Sequence, residues 1–138
     1  MEGSADGRKL VGMRSLLLAA ALVGAVNAER AEHGLPALKL SEHLTRSADA
    51  FAQRLMRRGQ FRHERRIRVQ RARYNHVGEV LALDTGGPAA TVKAWLASPP
   101  HRRLVLSRSF RLAGAGSARG AISGRAATIR VLHLASPA

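Results

Sequence analysis

No cysteine occurs among the 138 residues, which excludes both a disulfide framework and a thiolate metal site. That lack does not assign a compartment. Aromatic residues are nearly as scarce, with three Phe, one Trp and one Tyr, too few to build a stacking platform for single-stranded nucleic acid. No long hydrophobic run is present either. The longest, Leu16 to Val26, spans about 11 residues, where a bilayer-crossing helix takes about 20. Negative charge is short: 9 acidic residues face 23 basic ones, for a net charge of +14. Lysine is almost missing from that surplus, being confined to Lys9, Lys39 and Lys93. A basic excess of this size invites an anionic partner. An excess of Arg and Ala over Lys is also what a GC-rich genome gives to any protein, and nucleic acid is not expected as a partner.

What is there suffices for one folded domain. The chain is 46% hydrophobic, and a chain of this length buries roughly two-thirds of its unfolded surface. Residues 1–15 are polar or small and carry Arg8, Lys9 and Arg14; a flexible basic N-terminus is expected there, with the domain spanning residues 16–135. The run from Leu16 to Val26 has the length of a signal-peptide apolar segment, and Val26-Asn27-Ala28 would serve as a cleavage site. The same run continues without a break into Asn27 to Gly34, rich in helix formers and ended by a glycine suited to a helix C-terminus. Cleavage at Ala28 would cut that helix, and the helical reading is preferred.

Further along, Ser41 is a good N-cap. After it Leu44, Ala48, Phe51, Ala52, Leu55 and Met56 recur at steps of three and four, predicting an amphipathic helix stopped by Gly59. Residues 60–75 carry no clear pattern, and Glu64 to Arg73 reads ERRIRVQRAR. Tyr74 to Leu83 suits a strand or a packed loop. Pro88 opens a helix whose buried stripe is Val92, Trp95 and Leu96, and Ser98-Pro99-Pro100 ends it. His101 to Leu106 suits one further helical turn. Phe110 to Ala118 and Ala126 to Leu134 read as two antiparallel strands joined by a glycine-containing turn. Helices early and strands late predict an α+β layering.

Several of these residues form an ordered set. Asn27-x-x-Arg30, Gly34-Leu35-Pro36-x-Leu38, the helix from Leu44 to Met56 and Gly59-x-Phe61-x-His63 come first. Gly78-Glu79, Trp95-x-x-Ser98-x-x-His101-Arg102 and the stretch from Phe110 to Gly116 follow. In order and spacing the set resembles a bacterial SCP-like domain of the CAP superfamily, which includes cysteine-rich secretory proteins, antigen 5 and the pathogenesis-related group 1 proteins. The resemblance covers residues 16–135. It implies an α/β/α sandwich with a central antiparallel sheet, Leu16 to His33 as its first helix, and an extracellular or cell-surface location.

The resemblance also implies a central cleft, where members often place two His and two acidic residues and some bind a divalent metal. His63 and Glu79 match two of those positions. The second acidic position falls near Ser98, and the second His, expected near Thr128, has no counterpart there. His101 belongs to the bacterial motif and is a candidate to enter the cleft from another side. The cleft candidates are therefore His63, Glu79, His101 and Ser98, and the set for a divalent metal such as zinc is His63, Glu79 and His101. Zinc accepts imidazole and carboxylate ligands, and three of them with an open fourth position suit a reactive site. The structural alternative is a hydrogen-bonded network that satisfies a buried Glu79. Val80, where the family has Asn, removes a polar side chain expected beside the cleft. Ser98 lacks a nucleophile elbow. Three functions follow: a binding module for a lipid, cell-wall or protein ligand, which is preferred to an enzyme; a metal-dependent hydrolase at His63, Glu79 and His101; and a polyanion binder using residues 62–73 with Arg102, Arg103, Arg108 and Arg111.

Overall fold

The computed structural model describes residues 2–69 and 71–138, with the backbone alone for residues 2–11 and 71. In chain order the elements are helix α1 (Glu2–Glu32), strand β1 (Lys39–Leu40), helix α2 (Glu42–Arg58), strand β2 (Tyr74–Leu83), helices α3 (Pro88–Leu96) and α4 (Pro99–Val105), and strands β3 (Leu112–Ile122) and β4 (Arg125–Pro137). The sheet order is β1-β3-β4-β2. Its pairings are antiparallel except that the two-residue β1 runs parallel to β3, so the expected antiparallel sheet carries a short parallel edge.

Strand alternation sends successive side chains to opposite faces. On one face Val80, Ala82, Ala113, Ala115, Leu132 and Leu134 join α1, α3 and α4 in a core that includes Trp95. On the other, Leu81, Ala118, Ile129 and Val131 meet Phe51, Ala52 and Leu55 of α2. The result is the expected three-layer α/β/α arrangement, with the sheet between α1, α3 and α4 on one side and α2 on the other.

Local chemistry accounts for the element ends. The Ser41 hydroxyl accepts the Leu44 amide, and Gly59 closes α2 in the left-handed region at φ 63°, as the cap and stop signals require. Ser123 and Gly124, both at positive φ, form the two-residue hairpin turn that matches strand twist. The 11-residue apolar run belongs to α1: Ala19, Leu22, Val23 and Val26 are core residues. Helix α1 runs through the boundary expected at residue 16. Arg8 and Lys9 of the expected basic segment have side chains outside the described residues.

Two motif residues tie α1 to the rest. The Asn27 amide donates to the Leu38 carbonyl and accepts the Leu38 amide at 3.0 and 2.8 Å. Arg30 is fully buried, with no carboxylate among its partners in the described residues. Its guanidinium donates to the carbonyls of Pro36, Val105, Ser107 and Phe110, stapling three chain segments. Burial, then the charges of Arg111 and Arg108, lower its pKa below the ordinary arginine value.

Helix α2 lies unusually close to the sheet. A Cβ on Gly114 would run into the backbone of Leu44 and Thr45, and one on Gly116 into that of Ala48 and Asp49. Glycine is required at both places by the closeness of the helix, not by backbone angle.

Candidate functional site

The antiparallel register of β2 and β4 pairs Glu79 with His133. Both side chains leave the sheet on the α2 face. Glu79 Oε2 lies 2.7 Å from His133 Nε2, and His133 Nδ1 lies 2.7 Å from the Ser47 hydroxyl on α2. That hydroxyl is also 2.9 Å from the Leu44 carbonyl. The second Glu79 oxygen, Oε1, lies 3.0 Å from His63 Nδ1. The four side chains form one connected line from α2 through the sheet to the segment after α2. The Phe51 ring stacks near His133, with centroids 6.3 Å apart.

Donor counting fixes the direction of the inner bonds. An ionised carboxylate only accepts, so both imidazoles donate to Glu79: His133 through Nε2–H and His63 through Nδ1–H. A neutral His63 then offers Nε2 as an acceptor. Exposure separates the two rings: the His133 side chain is 2% exposed and the His63 side chain 56%. His133 and Ser47 hold Glu79; His63 is the member that meets solvent.

His63 also lines a hollow of about 520 Å³ between the end of α2 and residues 60–68, together with Leu55, Arg58, Arg62, Arg65, Arg66 and Arg68. In its wall Glu64 receives Arg54 at 3.3 Å, Arg58 at 3.1 Å and Arg68 at 3.1 Å. Burial alone would raise the Glu64 carboxyl, but the Arg54 hydrogen bond and the charges of Arg54, Arg68 and Arg58 hold it below its ordinary 4.5. A larger hollow, about 970 Å³, lies between the exposed Met13, Leu17 and Leu18 of α1 and the Gly116–Ser117 edge of β3.

The structure brings together His63 and Glu79 of the expected set. His101 sits on α4, which packs on the opposite face of the sheet, where Leu104 and Val105 join the core with Val80. The sheet therefore stands between His101 and Glu79. Ser98 lies at the junction of α3 and α4, where its amide bonds Trp95 and its carbonyl accepts Arg102. Val80 points away from Glu79 into that core, so its replacement of a polar residue leaves the His63 side untouched. The residue that was missed is His133. Its signal was a histidine inside the apolar strand Val131-Leu132-His133-Leu134, and only the register with Glu79 gives it a role.

These residues do not fit a metal centre as placed. Among the described residues no group of three or more His, Asp or Glu is positioned to hold an ion. Both oxygens of Glu79 and the facing nitrogens of the two imidazoles are already spent on each other. The tryptophan of the motif is structural: its indole N–H donates to the Leu81 carbonyl at 2.9 Å from a buried position.

Comparison with known proteins agrees with this architecture. YkwD of Bacillus subtilis is 31% identical over 103 residues, covering 69% of this chain, and the chain spans 40% of that protein's length. Among solved structures, an extracellular protein with an SCP domain from Bacillus anthracis superposes with a TM-score of 0.70 at 18% identity, over 86% of this chain and 40% of that one. An outer surface protein from Borrelia burgdorferi superposes with a TM-score of 0.69 at 19% identity, over 85% of this chain and 90% of its own. The family model for the cysteine-rich secretory proteins matches residues 23–128, and the chain, cysteine-free as it is, belongs to that CAP family.

Proposed function

We propose that the chain is an extracellular or cell-surface binding module whose ligand contacts centre on His63. The observation that carries this reading is the pairing of a 56% exposed imidazole with a 5% exposed carboxylate that a second, buried histidine holds in place. An exposed side chain ordinarily loses rotamer entropy on binding; one already oriented loses less. The extracellular and outer-surface descriptions of the structural relatives support the location. A hydrolase at His63, Glu79 and His101 gains no support, because the sheet separates His101 from the other two.

The test is co-sedimentation of the purified chain with isolated bacterial cell envelopes, comparing wild type with His63→Ala. Loss of one oriented hydrogen bond is expected to weaken binding about tenfold; the melting temperature should fall modestly as Glu79 Oε1 loses its partner, so the two proteins are compared at a temperature where both are folded. Zinc is expected to leave both binding and melting unaltered. Equal sedimentation of the two proteins would refute the role of His63.

A further inference from the structure

We infer that the hollow beside His63 is a site for a compact anion carrying two or more phosphate groups. The proposal rests on the reading that this face takes a ligand, and it adds the ligand's chemistry.

Charge is the first argument. Five guanidiniums, those of Arg58, Arg62, Arg65, Arg66 and Arg68, line a space of about 520 Å³ together with a single carboxylate, Glu64. Five positive charges less one leave a surplus of four. Coding bias scatters arginine over a whole chain, but it does not explain why three guanidiniums converge on one carboxylate at 3.1–3.3 Å. The two hollow-lining members of that trio, Arg58 and Arg68, each spend one N–H group there of the five that a guanidinium carries. Their side chains remain 50% and 60% exposed. Glu64 thus works as a clamp that fixes the direction of two forks and leaves most of their donors toward solvent. Beneath them Arg54 lies over the Phe51 ring at 5.3 Å, which anchors the clamp to the α2 core.

Shape is the second argument. Guanidinium forks match phosphate oxygens two at a time, and a surplus of four balances an anion of two or three linked phosphates better than one carboxylate or one phosphate. A concave site favours a compact head. Duplex DNA presents its charges along a rod, one per about 1.7 Å of axis, and would press on the rim without filling the space.

The experiment is calorimetric titration of the full chain with tripolyphosphate, inorganic phosphate and a 20-base-pair DNA duplex at two salt concentrations. Tripolyphosphate is expected to bind at least about tenfold tighter than inorganic phosphate, and more weakly at the higher salt. The triple variant Arg62→Gln/Arg65→Gln/Arg66→Gln, whose positions are exposed, is expected to lose about 30-fold in affinity with an unchanged melting temperature. The control is Arg102→Gln/Arg103→Gln on α4, at a separate hollow, expected to stay within about twofold. Equal losses in both variants would reduce the effect to net charge and overturn the site. Tighter binding of the duplex than of tripolyphosphate, abolished by the triple variant, would assign the arginines to a nucleic-acid surface and also overturn it. In the envelope assay, competition by tripolyphosphate distinguishes a surface-borne phosphate polymer from a soluble phosphate compound. If His63→Ala abolishes envelope binding while tripolyphosphate fails to bind, the module reading stands and this inference falls. If tripolyphosphate binds while His63→Ala sediments like wild type, the reverse holds.

Discussion

On the face covered by α1, α3 and α4, the sheet contributes Val80, Ala82, Leu132 and Leu134 to a core with Trp95. On the face covered by α2, two residues of the same strands, Glu79 and His133, form a buried polar pair, and β3 offers Gly114 and Gly116. Large side chains hold the first helical layer away from the sheet; bare backbone lets the second settle against it. That closeness brings Ser47 of α2 within 2.7 Å of His133. The polar line that ends in the exposed His63 therefore depends on two glycines outside it, of which Gly114 is the cross-strand partner of His133. Both faces hide a charged group, but by different means: Arg30 on the first is held by neutral carbonyls, whereas Glu79 on the second is held by imidazoles.

The largest effect is expected on the first face. Arg30→Met keeps the apolar stem and deletes the donors, leaving up to four carbonyls from two segments without their partner. Each buried acceptor left unsatisfied costs about 1–3 kcal/mol, and with partial relaxation the total should reach about 4 kcal/mol. Arg30→Lys should recover less than half of this, since an ammonium lacks the planar fork. Urea unfolding followed by Trp95 fluorescence gives the number. The His63 and His133 ring signals should stay in place in the folded fraction; if they move, the two faces are coupled through the sheet.

A smaller loss, with a different signature, is expected on the second face. Gly116→Ala places a methyl group against the backbone of Ala48 and Asp49, and α2 must lift. Overpacking of this kind costs about 3 kcal/mol. The distinguishing readout is the His133 ring nitrogen shift, which should change as the Ser47 bond lengthens, while Trp95 emission stays native. A variant with unchanged stability and an unchanged His133 signal would show that the glycines do not set the helix height.

On both faces the sequence made the helices and their buried stripes easier to read than the polar contacts. Helix α2 was plain from Ser41 to Gly59, because its cap, stripe and stop are all local signals and the observed α2 buries the same Leu44, Ala48, Phe51, Ala52 and Leu55. Trp95 and Val92 were legible as core for the same reason. His133 was not, because its role depends on pairing with a residue 54 positions away, and the register that sets it is not a local property. His101 misled in the opposite direction: it belongs to a recognisable motif, but α4 lies on the far side of the sheet. The expectation that Val80 alters the cleft failed on simple alternation, since a neighbour of an inward Glu79 on a strand must face the other way. The glycine pair in β3 was visible as composition, yet nothing in β3 itself says which helix comes close.

The smallest effect sharpens the comparison through pH. Two groups with lowered pKa values that titrate in the acid range, His43 and Glu64, belong to α2 or to its clamp. Burial, then the charges of Arg73 and Arg46, lowers the His43 imidazole below its ordinary 6.5, and its Nδ1 lies 2.8 Å from the Tyr74 hydroxyl. The arginines hold Glu64 below its ordinary 4.5 despite burial. For both groups the unfolded chain binds protons at a pH where the folded chain does not. Stability therefore rises with pH across each window. It is full above 6.5, falls as His43 protonates below that value, and falls again below 4.5 as Glu64 takes up its proton and releases Arg54, Arg58 and Arg68. The double variant His43→Gln/Glu64→Gln should flatten the dependence of melting temperature on pH between 7 and 4. His43→Gln alone should remove only the upper part. Arg30, on the other face, titrates far outside this range and contributes no slope there. Acid should therefore loosen α2 before α1, which amide exchange corrected for intrinsic pH rates can resolve helix by helix. Equal loosening of both helices would mean that the sheet transmits the charge change, and that the two layers unfold as one unit.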